Sequence, residues 1–174
     1  MKKVEDYITT IPDFPEEGIM FRDITSVLSS AEGLKLSIDE LEKLLQGVEF
    51  DAIVGLESRG FIFGMPLAYK MNKPFILVRK KGKLPRKTIS ETYDLEYGHA
   101  TIEMHVEDLP AGSKVVMVDD LLATGGTMAA ACKLVERLDC SVAKIVFLLE
   151  LQGLNGREKL KQYDVDSITK YEGK

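Results

Sequence analysis

The sequence predicts an α/β fold, a mostly parallel twisted sheet flanked by helices, and three observations carry that prediction. Apolar runs at Asp51–Leu56, Pro74–Val78, Val115–Val118 and Val142–Leu151 read as strands buried on both faces. Stretches with helical spacing of apolar residues separate them, at Leu34–Leu45, Phe61–Met71 and Ala129–Leu138. The turns with unusual chemistry all follow the carboxyl ends of apolar runs, where open α/β sheets bind ligands.

The chain has 174 residues, 45% of them hydrophobic, enough for one well-filled core, so a single domain spanning residues 1–174 is expected. A net charge of −5 argues against nucleic acid as a main partner. Met1–Asp6 is charged with no apolar run behind it, and nowhere do eighteen apolar residues occur together. Neither a signal peptide nor a membrane span is therefore expected, and the expected location is cytoplasmic. Cys132 and Cys140, eight apart and without a Cys-x-x-Cys, read as reduced and structural.

From the amino terminus, Val4–Ile11 fits a short amphipathic helix that Pro12 and Pro15 end. Residues 11–25 combine prolines, Gly18 and an apolar triplet ahead of Arg22, a composition suited to an ordered lid; apolar residues such as Met20 and Phe21 on a fixed loop can sandwich a flat base. Leu34–Leu45 is a surface helix packed on one face. The strand Asp51–Leu56 runs into Glu57-Ser58-Arg59-Gly60, which puts a guanidinium and free amides where a diphosphate can bind. Pro74–Val78 leads into residues 79–87, where six of nine residues are cations, Arg79 and Lys83 among them.

Thr88–Leu95 and Ala100–Val106 alternate β-branched or apolar residues with polar ones around Glu96-Tyr97-Gly98-His99, as expected of two strands projecting from the domain as a ribbon. Closing such a ribbon over a site would exclude water. His99 and His105 have no metal-ligand spacing and receive no role. After Val142–Leu151, Gly153–Lys161 reads as a loop and short helix, and the tail to Lys174 as polar.

The organising stretch is Val115–Thr127: an apolar strand, the acids Asp119 and Asp120, then Leu121-Leu122-Ala123-Thr124-Gly125-Gly126-Thr127 opening a helix from Met128. Unpaired N–H groups at a helix start suit a phosphate. Gly125 and Gly126 let the backbone close on a ligand, and the Thr124 and Thr127 hydroxyls add neutral donors. Carboxylates beside a phosphate must face something else: sugar hydroxyls, a metal ion, or positive charge developing in a reaction. A phosphorylated sugar supplies all three.

These thirteen residues resemble the phosphoribosyl pyrophosphate signature of type I phosphoribosyltransferases: four apolar residues, two acids, two variable residues, then Ala or Asp before Thr-Gly-Gly-Thr. The Pro-Asp-Phe-Pro and Gly-x-x-Phe-Arg-Asp-Ile segment, Glu-Ser-Arg-Gly, Arg-Lys-x-Gly-Lys-Leu-Pro and Leu95-Glu96-Tyr97-Gly98 resemble, in order, those of the adenine phosphoribosyltransferases. The resemblance implies an amino-terminal hood over about residues 11–33, a flexible loop over about 80–106, and a homodimer. It implies that Met20, Phe21 and Arg22 line a base site that Leu151 covers from its second face. It places Ser58, Arg59, Arg79 and Lys83 near pyrophosphate, Ala123–Met128 at the ribose 5-phosphate, and Asp119 and Asp120 at the ribose hydroxyls. It also implies a strained peptide at Ser58–Arg59.

Many purine phosphoribosyltransferases acting on 6-oxopurines have Asp where this chain has Ala123, and the resemblance of Leu95-Glu96-Tyr97-Gly98 to the flexible loop of the adenine phosphoribosyltransferases implies that Glu96 handles the proton instead. The implied reaction joins adenine to 5-phosphoribosyl 1-pyrophosphate, giving AMP and pyrophosphate, with Mg²⁺ held mainly by pyrophosphate and ribose oxygens. The signature reads the sugar phosphate and not the base, so xanthine or guanine as substrate stays open, as does a regulator of the same fold that binds RNA or DNA.

Overall fold

The computed structural model describes residues 1–173. After a single 3-10 turn at Val4–Tyr7 the chain forms β1 (Thr9–Pro12) and β2 (Met20–Asp23), an antiparallel pair in register from Thr9↔Asp23 to Pro12↔Met20. The helix expected over Val4–Ile11 thus stops at Tyr7. Thr9, Thr10 and Ile11 are β-branched and favour an extended pairing, and Pro12 is tolerated because this small sheet has only edge strands.

The short α1 (Thr25–Leu28) and α2 (Ala31–Leu44) follow, α2 capped by Ser30, whose hydroxyl accepts from the Gly33 N–H at 3.2 Å. Then come β3 (Ala52–Leu56), α3 (Arg59–Met71), β4 (Phe75–Lys80), β5 (Thr88–Asp94), β6 (His99–His105), β7 (Lys114–Leu122), α4 (Gly126–Arg137), β8 (Ser141–Leu151) and β9 (Val165–Tyr171). The seven strands from β3 onward form one sheet in the order β5-β6-β4-β3-β7-β8-β9. The segment from β4 to β9 is parallel, and β6 and β5 add antiparallel to β4.

Side chains alternating across the strands fill a core on each face. Val54, Val78, Val115 and Met117 pack with Ala131, Leu134 and Val135 of α4, while Ile53, Val116 and Val146 pack with Ile38 and Leu41 of α2 and Phe63 and Leu67 of α3.

Two expectations are corrected by the sheet. The ribbon does not stand clear of the domain: β6 pairs with β4 through Val78↔Met104, Ile102 and Met104 are buried, and Ile89 and Tyr93 pack beside the α4-side core. Burying those apolar residues favours docking, while the tip from Asp94 to His99 stays exposed. The polar tail is in fact the edge strand β9. Its buried Ser167 and Thr169 hid the strand signal, and they are satisfied by Glu150 (2.7 Å) and the Leu148 carbonyl (3.1 Å).

Candidate active site

The carboxyl ends of β3, β4, β7 and β8 share one edge of the sheet, and the turns there collect most of the candidate residues. At the end of β7 the chain turns through Gly125, with φ of 81°, into α4. Among the described residues the N–H groups of Gly125, Gly126, Thr127 and Met128 have no acceptor within the chain, as expected at a helix start. Thr124 is exposed, and the Thr127 hydroxyl lies 3.0 Å from the Tyr93 hydroxyl of β5.

Gly125 is glycine for a reason the sequence did not suggest. A Cβ there would lie 2.5 Å from the Gly156 carbonyl oxygen, and one on Gly156 would lie 2.4 Å from the Ala123 carbonyl oxygen. The turn after β8 therefore braces the loop from behind. At Gly126 a Cβ would meet nothing closer than the Lys159 ammonium at 3.7 Å. The bracing turn is itself anchored by Arg157, which donates to both oxygens of the buried Glu150 at 2.8 Å and to the Val165 carbonyl at 2.7 Å.

Strict alternation would send Asp119 and Asp120 to opposite faces of the sheet. It breaks here: Val118 and Leu121, three apart, both pack on the α2/α3 side, and both acids meet the first turn of α3. Asp120, buried, pairs with Arg59 (Nε to Oδ2, 3.0 Å), and Asp119 Oδ1 would touch a Cβ on Gly60 at 3.0 Å. Asp119 also accepts the Asp120 N–H at 2.8 Å. Burial, and after it the Asp120 charge, raises the Asp119 carboxyl well above the usual carboxylate range, against the opposing pull of that N–H and of Arg59.

The unusual peptide at this turn is the cis bond Glu57–Ser58, one bond before the expected Ser58–Arg59. Ser58 already caps α3 in helical conformation, its carbonyl accepting the Phe61 N–H at 3.1 Å, so the change of direction falls ahead of it.

Glu57 is the residue that sequence reasoning missed. Its carboxylate accepts from Arg79 Nη2 (3.1 Å), the Lys80 N–H (2.7 Å) and Lys83 Nζ (2.7 Å), so two of the three expected pyrophosphate cations converge on one acid. Burial alone would raise its pKa; Lys83, the Lys80 amide and Arg79 outweigh it and hold the carboxyl at about 2. A cluster of cations in an otherwise acidic chain was the available signal that a counter-ion existed. The Arg79 Nε is buried without a partner, and Arg79 and Glu57 line a cavity of ≈ 140 Å³ with Tyr93 and Thr127.

A second cavity, of ≈ 100 Å³, opens between the β1–β2 hairpin and the sheet edge. Met20, Phe21 and Arg22 form one wall, Leu149 and Leu151 another, and Arg59 with Asp120 its polar end. The Arg22 guanidinium turns away from it, lying 4.0 Å from the Tyr171 ring centroid with Nη1 donating to the Thr10 hydroxyl at 2.5 Å. Met20 and Arg22, two apart on an edge strand, point their backbone groups the same way, and Pro12 opposite Met20 has no N–H to offer. Glu96 is not brought to this cavity: it sits at the exposed ribbon tip.

Comparison with known proteins identifies the family. A family model described as the phosphoribosyl transferase domain matches residues 26–173. An adenine phosphoribosyltransferase of Butyrivibrio fibrisolvens is 69% identical over 174 residues, covering 100% of this chain and 96% of that one. The crystal structure of adenine phosphoribosyltransferase from Thermoanaerobacter pseudethanolicus superposes with a TM-score of 0.92 at 50% identity, over 97% of this chain and 98% of that one. That of the Saccharomyces cerevisiae enzyme, complexed with an imino-altritol bisphosphate and adenine, gives 0.88 at 41% identity over 95% and 96%. The chain belongs to the phosphoribosyl transferase family and, within it, to the adenine phosphoribosyltransferases.

Proposed function

We propose that this edge of the sheet transfers the phosphoribosyl group of 5-phosphoribosyl 1-pyrophosphate to adenine, with the work divided as follows. The observation that carries the division is adjacency: Asp120 and Arg59 belong to the apolar cavity, while the unpaired amides at the start of α4 begin four residues beyond Leu121, which also lines that cavity. The yeast relative's crystallised complex with adenine and a sugar-like bisphosphate supports the same pairing of ligands.

Adenine lies between the Met20–Arg22 wall and Leu151, its edge read by backbone groups of Met20 and Arg22. The amides of residues 123–128, with the Thr124 and Thr127 hydroxyls, hold the 5-phosphate. Asp119 and Asp120 hold the ribose hydroxyls, and the carboxylate charge that Asp120 presents favours a cationic C1′. Ser58, Arg59, Arg79 and Lys83 receive the pyrophosphate; the unpartnered Arg79 Nε is a donor suited to one of its oxygens. As N9 attacks C1′, the C1′–oxygen bond to pyrophosphate breaks, and Glu96, carried in on the ribbon tip, takes the purine proton.

Mg²⁺ fits this donor set only as a passenger of the substrate. Among the described residues no group of three His, Cys, Asp or Glu side chains converges, which leaves Asp119 and Asp120 as the side chains near enough to the ribose to share it. When bound it offsets pyrophosphate charge. The exposed Ile62, Met65 and Tyr69, on one stripe of α3, support a homodimer. No helix among the described residues is long and apolar enough to cross a membrane, and the two buried free thiols, Cys132 and Cys140, support a cytoplasmic location.

Nucleoside monophosphate formation from adenine, guanine and xanthine, each with 5-phosphoribosyl 1-pyrophosphate, tests the substrate, and Glu96→Ala tests the mechanism. Adenine is expected to be preferred, with kcat in the variant lower by about 10²–10⁴-fold. Full kcat in Glu96→Ala would remove Glu96 from the chemistry.

A further inference from the structure

Tyr93 has no place in the division of labour above, yet it touches both halves of the site. It is half-buried against the α4-side core, its ring lies 3.8 Å (Cδ2) from where a Cβ on Gly126 would be, and its hydroxyl is 3.0 Å from Thr127 Oγ1. It lines the cavity of Glu57 and Arg79, and on its other side the groove of ≈ 350 Å³ over Gly126 and Lys159.

We infer that Tyr93 is a positioning residue, whose hydroxyl orients the Thr127 hydroxyl toward the ribose 5-phosphate and so ties the ribbon carrying Glu96 to the occupied phosphate loop. The inference rests on the proposal that this loop holds the phosphate. Each hydroxyl owns one proton. If Thr127 donates to Tyr93, it has none left for an anion; if Tyr93 donates to Thr127, the Thr127 proton is free to meet a phosphate oxygen.

A bound phosphate selects the second arrangement, and the chain Tyr93–Thr127–phosphate strengthens along its length because each donor polarises the next. The same bond fixes β5 against α4 three residues before Glu96. Phosphate occupancy and ribbon position thereby become linked through one hydroxyl pair.

The test is calorimetric binding of AMP and of adenine to the parent, Tyr93→Phe, Thr127→Ala and the double variant, with thermal melts to check folding. Losing one oriented hydrogen bond in Tyr93→Phe is expected to weaken AMP binding roughly three- to tenfold. Adenine affinity should stay unchanged, and the double variant should be little weaker than Thr127→Ala alone, because the two hydroxyls act as one unit. In steady state, KM for 5-phosphoribosyl 1-pyrophosphate should rise while KM for adenine does not. Unchanged AMP affinity in Tyr93→Phe with a weakened Thr127→Ala would overturn the inference alone, as would fully additive losses or an equal loss for adenine. Unchanged AMP affinity in both single variants would overturn the inference and the phosphate loop's assignment together.

Discussion

Burial and the neighbouring Asp120 carboxylate make ionised Asp119 costly to the folded chain. Because its folded pKa is raised, its ionisation subtracts stability as pH climbs above the ordinary Asp value of 3.8. Asp119→Asn is therefore expected to raise Tm at neutral pH, by about 2–4 °C per kcal/mol recovered in a chain of this size, while AMP formation collapses. Melts and turnover on one preparation check both. Glu57 has the opposite sign. Its pKa is depressed to about 2, so its ion pairs stabilise fully above the ordinary Glu value of 4.5 and are lost as pH falls from there toward about 2. Denaturant melts between pH 5 and 3 should show a steeper loss in the parent than in Glu57→Gln. At this scale the sequence displayed the cations Arg79 and Lys83 but not what holds them, since Glu57 lies more than twenty residues upstream.

The elements that bear on the site are braced by elements that carry no signature. The turn at Gly156–Leu160 presses on the proposed phosphate loop so closely that a methyl group on Gly156 would meet the Ala123 carbonyl at 2.4 Å and Leu122 Cδ1 at 2.7 Å. Gly156→Ala is expected to cost about 1–3 kcal/mol and to raise KM for 5-phosphoribosyl 1-pyrophosphate more than KM for adenine, measurable by melts and initial rates. Arg157→Ala would leave Glu150 charged and buried beneath the same turn, a loss of about 3–5 kcal/mol by denaturant titration. Neither effect is legible in the sequence: Gly156 reads as a turn glycine and Arg157 as a surface cation. The strands β3, β4, β7 and β8 were legible because burial on both faces forces continuous apolar runs, whereas β1 and β9 are edge strands with threonine and serine on them, and edge pairing leaves no such mark.

Across the whole molecule, residues from the hairpin near position 20, the start of α3 near 59 and the end of β7 near 120 meet at one sheet edge, while Glu96 sits on an exposed tip. If the proposed dimer uses the α3 stripe, Tyr69→Glu should shift the sedimentation coefficient toward a monomer and leave the melting profile of the subunit otherwise intact. The sequence by itself determined the fold class, and it pointed to the sheet edge and the loop proposed here to hold the substrates. It could do so because buried parallel strands and a helix start that must leave its amides unpaired are written in consecutive residues. Only the tertiary structure decided that Arg79 and Lys83 share Glu57, that Asp119 and Asp120 both face α3, and that Gly125 is glycine because of Gly156. Those outcomes depend on which distant backbone or charge arrives next to a residue, a three-dimensional fact that no local spacing encodes.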